Sequence, residues 1–79
     1  MKTLKEETSW SDGRKEVKTF NLVNWKNVRF YLAEVKNAYV DAKRNVCVLS
    51  RSREYVLGKE YSLRGRDQNY TVKYMIEEA

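Results

Sequence analysis

The chain contains no proline and only three glycines, Gly13, Gly58 and Gly65, so these are its only strong backbone breakers and they partition everything between them. The first sits in Ser11-Asp12-Gly13-Arg14. Asp-Gly is the type I′ hairpin signal, because both positions tolerate a positive φ. It predicts a hairpin joining a strand near 3–10 to a strand near 15–22, with Glu7 facing Lys18. The first strand has little to bury, Leu4 and Trp10 alone, whereas the second ends in the β-forming run KTFNLV. Gly58-Lys59 lies between EYVL and EYSLR and reads as a type II′ turn between two short paired strands, or as a glycine bulge in one bent strand. Gly65 belongs to RGRDQN, a turn leading into YTVKYMI. There Tyr70, Val72, Tyr74 and Ile76 alternate with Thr71 and Lys73, the period of a half-buried strand.

Between the first and second glycine lies a segment with a different period. Trp25, Val28, Leu32, Val35, Tyr39 and Ala42 recur at steps of three and four, which predicts an amphipathic helix over about 24–44. Asn24 suits its N-cap, and Lys43 and Arg44 complement the dipole of its last turn. After Asn45 the run VCVLS is apolar on both faces, as a central strand would be. The expected architecture is a single α+β domain over 1–79, one long helix packed on a four- to five-stranded antiparallel sheet in the order ββα then ββ(β)β.

A chain of 79 residues has a thin core, and cores of this size rarely supply more than about 3–5 kcal/mol without a staple or a second subunit. One cysteine, Cys47, rules out an internal disulfide, and the lack of histidine rules out the usual zinc ligand sets and Ser-His or Cys-His nucleophile pairs. No phosphate-binding glycine loop or EF-hand run is present, so no cofactor is expected. No apolar run is long enough for a transmembrane helix, and the charged MKTLKEETSW lacks the apolar stretch of a signal peptide. The expectation is a cytoplasmic protein without membrane contact, and a homodimer would be one way to complete the core.

The net charge of +5 is uneven. Residues 43–73 carry eight basic and three acidic groups, while 1–42 are nearly balanced. Such a bias favours phosphates or an acidic protein surface as partner. Lys43, Arg51, Arg53, Arg64, Arg66 and Lys73 are therefore candidate RNA or DNA contacts, with Arg51, Arg53 and Arg64 grouped at one end of the sheet and Tyr55 and Tyr61 available for stacking if they face outward. On the predicted helix, Phe30 and Val40 fall opposite the core stripe beside Arg29 and Arg44, a small apolar patch rimmed by positive charge of the kind that marks protein contacts. Three functions follow as expectations. The first is a non-enzymatic inhibitor or regulator that occupies a nucleic-acid-handling protein or nucleoprotein complex through Phe30, Val40, Arg29 and Arg44. The second is direct RNA or DNA binding through the basic loops. The third is a small ribonuclease toxin using Tyr61, Arg64 and Lys73.

Overall fold

The computed structural model describes residues 2–26, 29–49 and 53–78, and no helix occurs among them. Eight antiparallel strands follow one another: β1 (Lys2–Trp10), β2 (Lys15–Lys26), β3 (Arg29–Leu32), β4 (Tyr39–Asp41), β5 (Val46–Val48), β6 (Glu54–Val56), β7 (Glu60–Arg64) and β8 (Asn69–Glu78). They form one sheet in the order β6-β5-β4-β3-β2-β1-β8-β7.

The expected α+β architecture is therefore corrected to all-β. The segment read as a helix over 24–44 holds the end of β2, then β3, β4 and the turns around them. One turn inside the segment explains the difference. Asn37 (φ 63°) adopts the left-handed conformation, which asparagine tolerates better than most residues and which no α-helix interior can contain. The helical stripe also leaves Phe30 and Val40 on the wrong side, whereas strand alternation places Phe30, Leu32 and Val40 together. Phe30 and Val40 are cross-strand partners, 5% and 0% exposed. Val28, part of the predicted stripe, lies outside the described residues.

The first hairpin forms, with a shifted register. Gly13 N–H donates to Trp10 O (3.0 Å) and Trp10 N–H to Arg14 O (2.8 Å), so the loop is Ser11-Asp12-Gly13 with Gly13 at φ 95°. A three-residue loop ending in a left-handed residue replaces the two-residue type I′ turn. Glu7 consequently faces Val17, and Lys18 faces Glu6. The second predicted hairpin does not form: β6 and β7 do not pair and occupy opposite edges of the sheet.

Those edges are nevertheless joined by only Leu57, Gly58 and Lys59. Successive Cα atoms are about 3.8 Å apart, so the sheet must curl until its two edges come within about 15 Å of each other. The result is a half-barrel. Across its seam Tyr61 Oη accepts a hydrogen bond from Val56 N–H (2.7 Å), and Gly58 N–H donates to Tyr74 O (2.8 Å). Tyr55 packs edge-on against Tyr61 (centroids 5.1 Å, 89°) and beside Tyr74 (5.0 Å).

Alternation then sorts the side chains. Leu4, Phe20, Leu22, Phe30, Leu32, Val40, Cys47, Tyr55, Tyr61, Leu63, Val72, Tyr74 and Ile76 belong to one core inside the curl. Of the predicted face of the last strand, Val72, Tyr74 and Ile76 contribute to it while Tyr70 does not, and β5 is buried on both faces as expected of VCVLS. Two carboxylates complete the backbone. Where β3 ends, Glu34 accepts Asn21 N–H (2.9 Å), and in the β4–β5 turn Asp41 Oδ1 accepts the N–H groups of Lys43 (3.1 Å) and Arg44 (3.2 Å).

Two outcomes test this core. Truncating a buried phenylalanine costs about 3–5 kcal/mol, comparable with the whole stability of so small a core. Phe30→Ala is therefore expected to abolish the cooperative unfolding transition in urea, where a surface Phe30 would leave the midpoint unmoved. The second outcome concerns pH. Burial, with Glu6 nearby, pushes the Cys47 thiol from its ordinary 9.0 to about 12. Burial and its hydrogen bond to Glu6 hold the Tyr74 hydroxyl above its ordinary 10.0 in the same direction. Both groups are bound protons that the unfolded chain releases first. Their contribution is full below 9.0 and is lost as pH rises toward about 12. Urea midpoints should fall progressively over that window, and Cys47 should resist thiol reagents until the chain unfolds; a midpoint that rises with pH there would contradict the assignment.

Candidate functional site

Of the described surface, one region gathers the features that recognise a ligand. Trp10 ends β1 and Tyr70 is the second residue of β8, and the antiparallel register makes them direct partners. Their rings stand 4.9 Å apart with planes inclined by 42°. Three surface clefts converge on this pair, and Trp10 and Tyr70 line all of them. A cleft of about 480 Å³ adds Ser9, Ser11, Ser62, Thr71 and Arg64. One of about 470 Å³ adds Arg14 and Arg66. A third, of about 250 Å³ within the curl, adds Glu6, Glu16, Lys18 and Tyr55.

Two loops hold the pair in place. The β1–β2 loop and the β7–β8 loop are joined by Ser11 N–H to Asn69 O (3.1 Å), Ser11 Oγ–H to Gln68 Oε1 (2.8 Å) and Asp12 N–H to the same oxygen (3.2 Å). Asp12 in turn accepts Arg14 N–H (3.0 Å) and Arg14 Nε–H (2.8 Å). The Arg14 amide, with help from Gln68 and the Arg14 guanidinium, keeps the Asp12 carboxyl below its ordinary value. The Arg14 guanidinium carbon lies 5.4 Å from the Trp10 ring centroid, within cation–π range. Gly65 permits the second loop. A Cβ there would collide with the Gln68 carbonyl and press 3.3 Å from the Tyr70 ring.

The residues singled out from the sequence distribute unevenly around this region. Arg64 at the end of β7 and Arg66 in the following turn lie at it, and among the described residues neither has a salt-bridge partner. Lys73 does not join them, because it stands on the outer face between Glu7 of β1 and Glu60 of β7. Lys43 is exposed in the β4–β5 turn. Arg53 sits over Tyr55, 5.1 Å from its centroid. Arg51 lies outside the described residues.

The apolar patch proposed for a protein partner is corrected outright: Phe30 and Val40 are core, with Lys2 Nζ 4.8 Å over the Phe30 ring. Arg29 is exposed on the outer face with its guanidinium 4.6 Å from the Tyr39 ring. Arg44 is engaged by Glu54 through two 2.8 Å contacts. Tyr61 turns into the curl, whereas Arg64 and Lys73 belong to the opposite face, so the three residues suspected of hydrolysis do not share a side of the sheet.

Trp10, Tyr70 and Arg14 were missed. Their signal was present: each flanks a glycine-containing turn, Trp10 and Arg14 on either side of Ser11-Asp12-Gly13 and Tyr70 just after RGRDQN. What the sequence did not carry was that the two turns meet. Comparison of the chain with protein-family models, curated proteins and solved structures finds no match to any of them.

Gly65→Ala tests how this end is built. The added methyl must displace the Gln68 carbonyl or the Tyr70 ring, so the variant is expected to stay folded in far-UV circular dichroism but to lose near-UV signal from the Trp10–Tyr70 pair. An unchanged near-UV spectrum would mean that the close approach at Gly65 does not position the ring.

Proposed function

We propose that the protein binds single-stranded nucleic acid at the Trp10–Tyr70 end of the sheet. The observation that carries this reading is the convergence of three clefts on a cross-strand aromatic pair flanked by Arg14, Arg64 and Arg66. Aromatic faces stack on unstacked bases of any identity, and each such contact is worth about 1–3 kcal/mol. Arginine adds bidentate contacts to phosphate. Single strands suit the site better than duplexes, because bases inside a duplex offer no free face to a side-chain ring. The chain's net charge of +5 supplies long-range attraction. Locally the attraction is modest, since the three arginines share this end with Asp12 and Asp67, so stacking rather than charge is expected to dominate.

The inhibitor reading rested on an exposed Phe30–Val40 face. With both side chains in the core, that reading keeps no apolar docking patch of the proposed kind.

Fluorescence anisotropy with a labelled single-stranded oligonucleotide, repeated over a range of salt, tests the proposal. Trp10→Ala or Tyr70→Ala should weaken binding by about 1–3 kcal/mol, roughly fivefold to a hundredfold, with the salt slope kept. Arg66→Ala should reduce the slope by about one counterion. Duplexes should bind more weakly than single strands. Binding that is indifferent to Trp10→Ala, or equal for single strands and duplexes, would sink the stacking platform.

A further inference from the structure

The sheet is open at β7, and the sequence of that strand is complementary to itself. In the β7–β8 hairpin Gly65 N–H donates to Gln68 O (3.0 Å), which marks Gly65–Gln68 as a hydrogen-bonded pair. Hydrogen-bonded and non-hydrogen-bonded pairs alternate along an antiparallel ladder. Leu63–Tyr70 and Tyr61–Val72 are therefore the next bonded pairs, and Glu60, Ser62 and Arg64 turn their N–H and C=O groups away from β8. Among the described residues no strand lies on that side, since β7 ends the sheet order, and none gives these outward groups a backbone partner. The other edge is different. β6 has three residues, and its outward Val56 N–H is already taken by the Tyr61 hydroxyl.

We propose that β7 pairs with β7 of a second copy of this chain, antiparallel about a two-fold axis through Ser62. Outward groups must meet outward groups, so the axis can pass only through a residue and not between two. Centred on Ser62, all five residues overlap and Glu60 of each copy faces Arg64 of the other. Tyr61 faces Leu63 and Ser62 faces Ser62. Opposite charges, an aromatic beside an aliphatic, and two hydroxyls are each favourable cross-strand pairs. Centring on Tyr61 or Leu63 instead shortens the overlap to three residues and loses both charge pairs.

Burial fits the same arrangement. Glu60, Ser62 and Arg64 are exposed, and Tyr61 and Leu63 are only half-buried although both pack against the core. A partner strand would cover them and would close a thin core of the kind that small chains often complete by oligomerising. The interface is isologous and closes on itself, so it makes a dimer and not a fibre. This inference shares Arg64 with the nucleic-acid reading but does not rest on it, because Trp10, Tyr70, Arg14 and Arg66 lie outside the paired strand.

Sedimentation equilibrium of the full chain without nucleic acid, from micromolar to millimolar, tests it. A reversible monomer–dimer equilibrium is expected. Glu60→Arg alone and Arg64→Glu alone each set like charges opposite one another twice per dimer and should weaken association about tenfold or more. The double variant Glu60→Arg with Arg64→Glu restores both pairs and should recover association. Ser62→Pro removes an outward N–H that the β7–β8 ladder does not use, as edge strands tolerate, and should leave a folded monomer. A chain that remains monomeric to millimolar concentration overturns the proposal. So does a dimer that both single charge variants leave intact, or a double variant no better than either single.

Discussion

The structure depends on a short tether. Leu57, Gly58 and Lys59 connect two strands that lie at opposite edges of an eight-stranded sheet. Nothing else in the fold forces the curl so directly. Once the edges are drawn together, Tyr55, Tyr61 and Tyr74 fill the seam, and the Tyr61 hydroxyl meets a backbone N–H that a flat sheet would leave to solvent. Tyrosine suits this role because it offers an apolar ring to a core and a polar tip to a polar partner: the Tyr61 hydroxyl takes the Val56 N–H and the Tyr74 hydroxyl donates to Glu6. The curl gives a chain of this size an inside, which a flat antiparallel sheet with no helix across it would lack.

Several of the charges on this molecule are held in exposed ion pairs. Lys5 is gripped by Glu7 and Glu77 at 3.0 Å, and Arg44 by Glu54 at 2.8 Å. Exposed pairs of this kind contribute little to stability, with a median of about 0–1 kcal/mol. Their consequence is distributional. They neutralise these cations, whereas among the described residues Arg64 and Arg66, at the end where Trp10 and Tyr70 stand, have no ion-pair partner. The aromatic pair and these arginines coincide because two loops distant in sequence are tied through Ser11, Asp12 and Gln68.

How legible was this? The strands around Gly13, the doubly apolar β5 and the alternating β8 could be read directly, because their burial pattern is local and has a period of two. The segment over 24–44 could not. Its apolar residues satisfy a helical spacing as well as two short strands, and the choice is made by what they pack against. As a helix it would expose Phe30 and Val40; as β3 and β4 it buries both beside Leu32 and Cys47. Asn37 was the local hint, since a left-handed residue in the middle of the segment breaks a helix and makes a turn. At the candidate site, Arg64 and Arg66 were visible as part of a basic stretch, but Arg53 and Lys73 of that stretch went elsewhere. Strand alternation and sheet position decided which cations share a surface.

By itself, then, the sequence determined the strand-forming periods, the turn at each glycine, the absence of histidine and of a second cysteine, and the positive balance of the second half. These follow from residue types and their spacing over a few positions. Tertiary structure alone decided that the middle of the chain is sheet, that β6 and β7 part to opposite edges, and that Trp10 meets Tyr70. Each of those outcomes depends on contacts between residues far apart in sequence. Their free energy comes from burying apolar surface in a shared core, and no local window contains both partners.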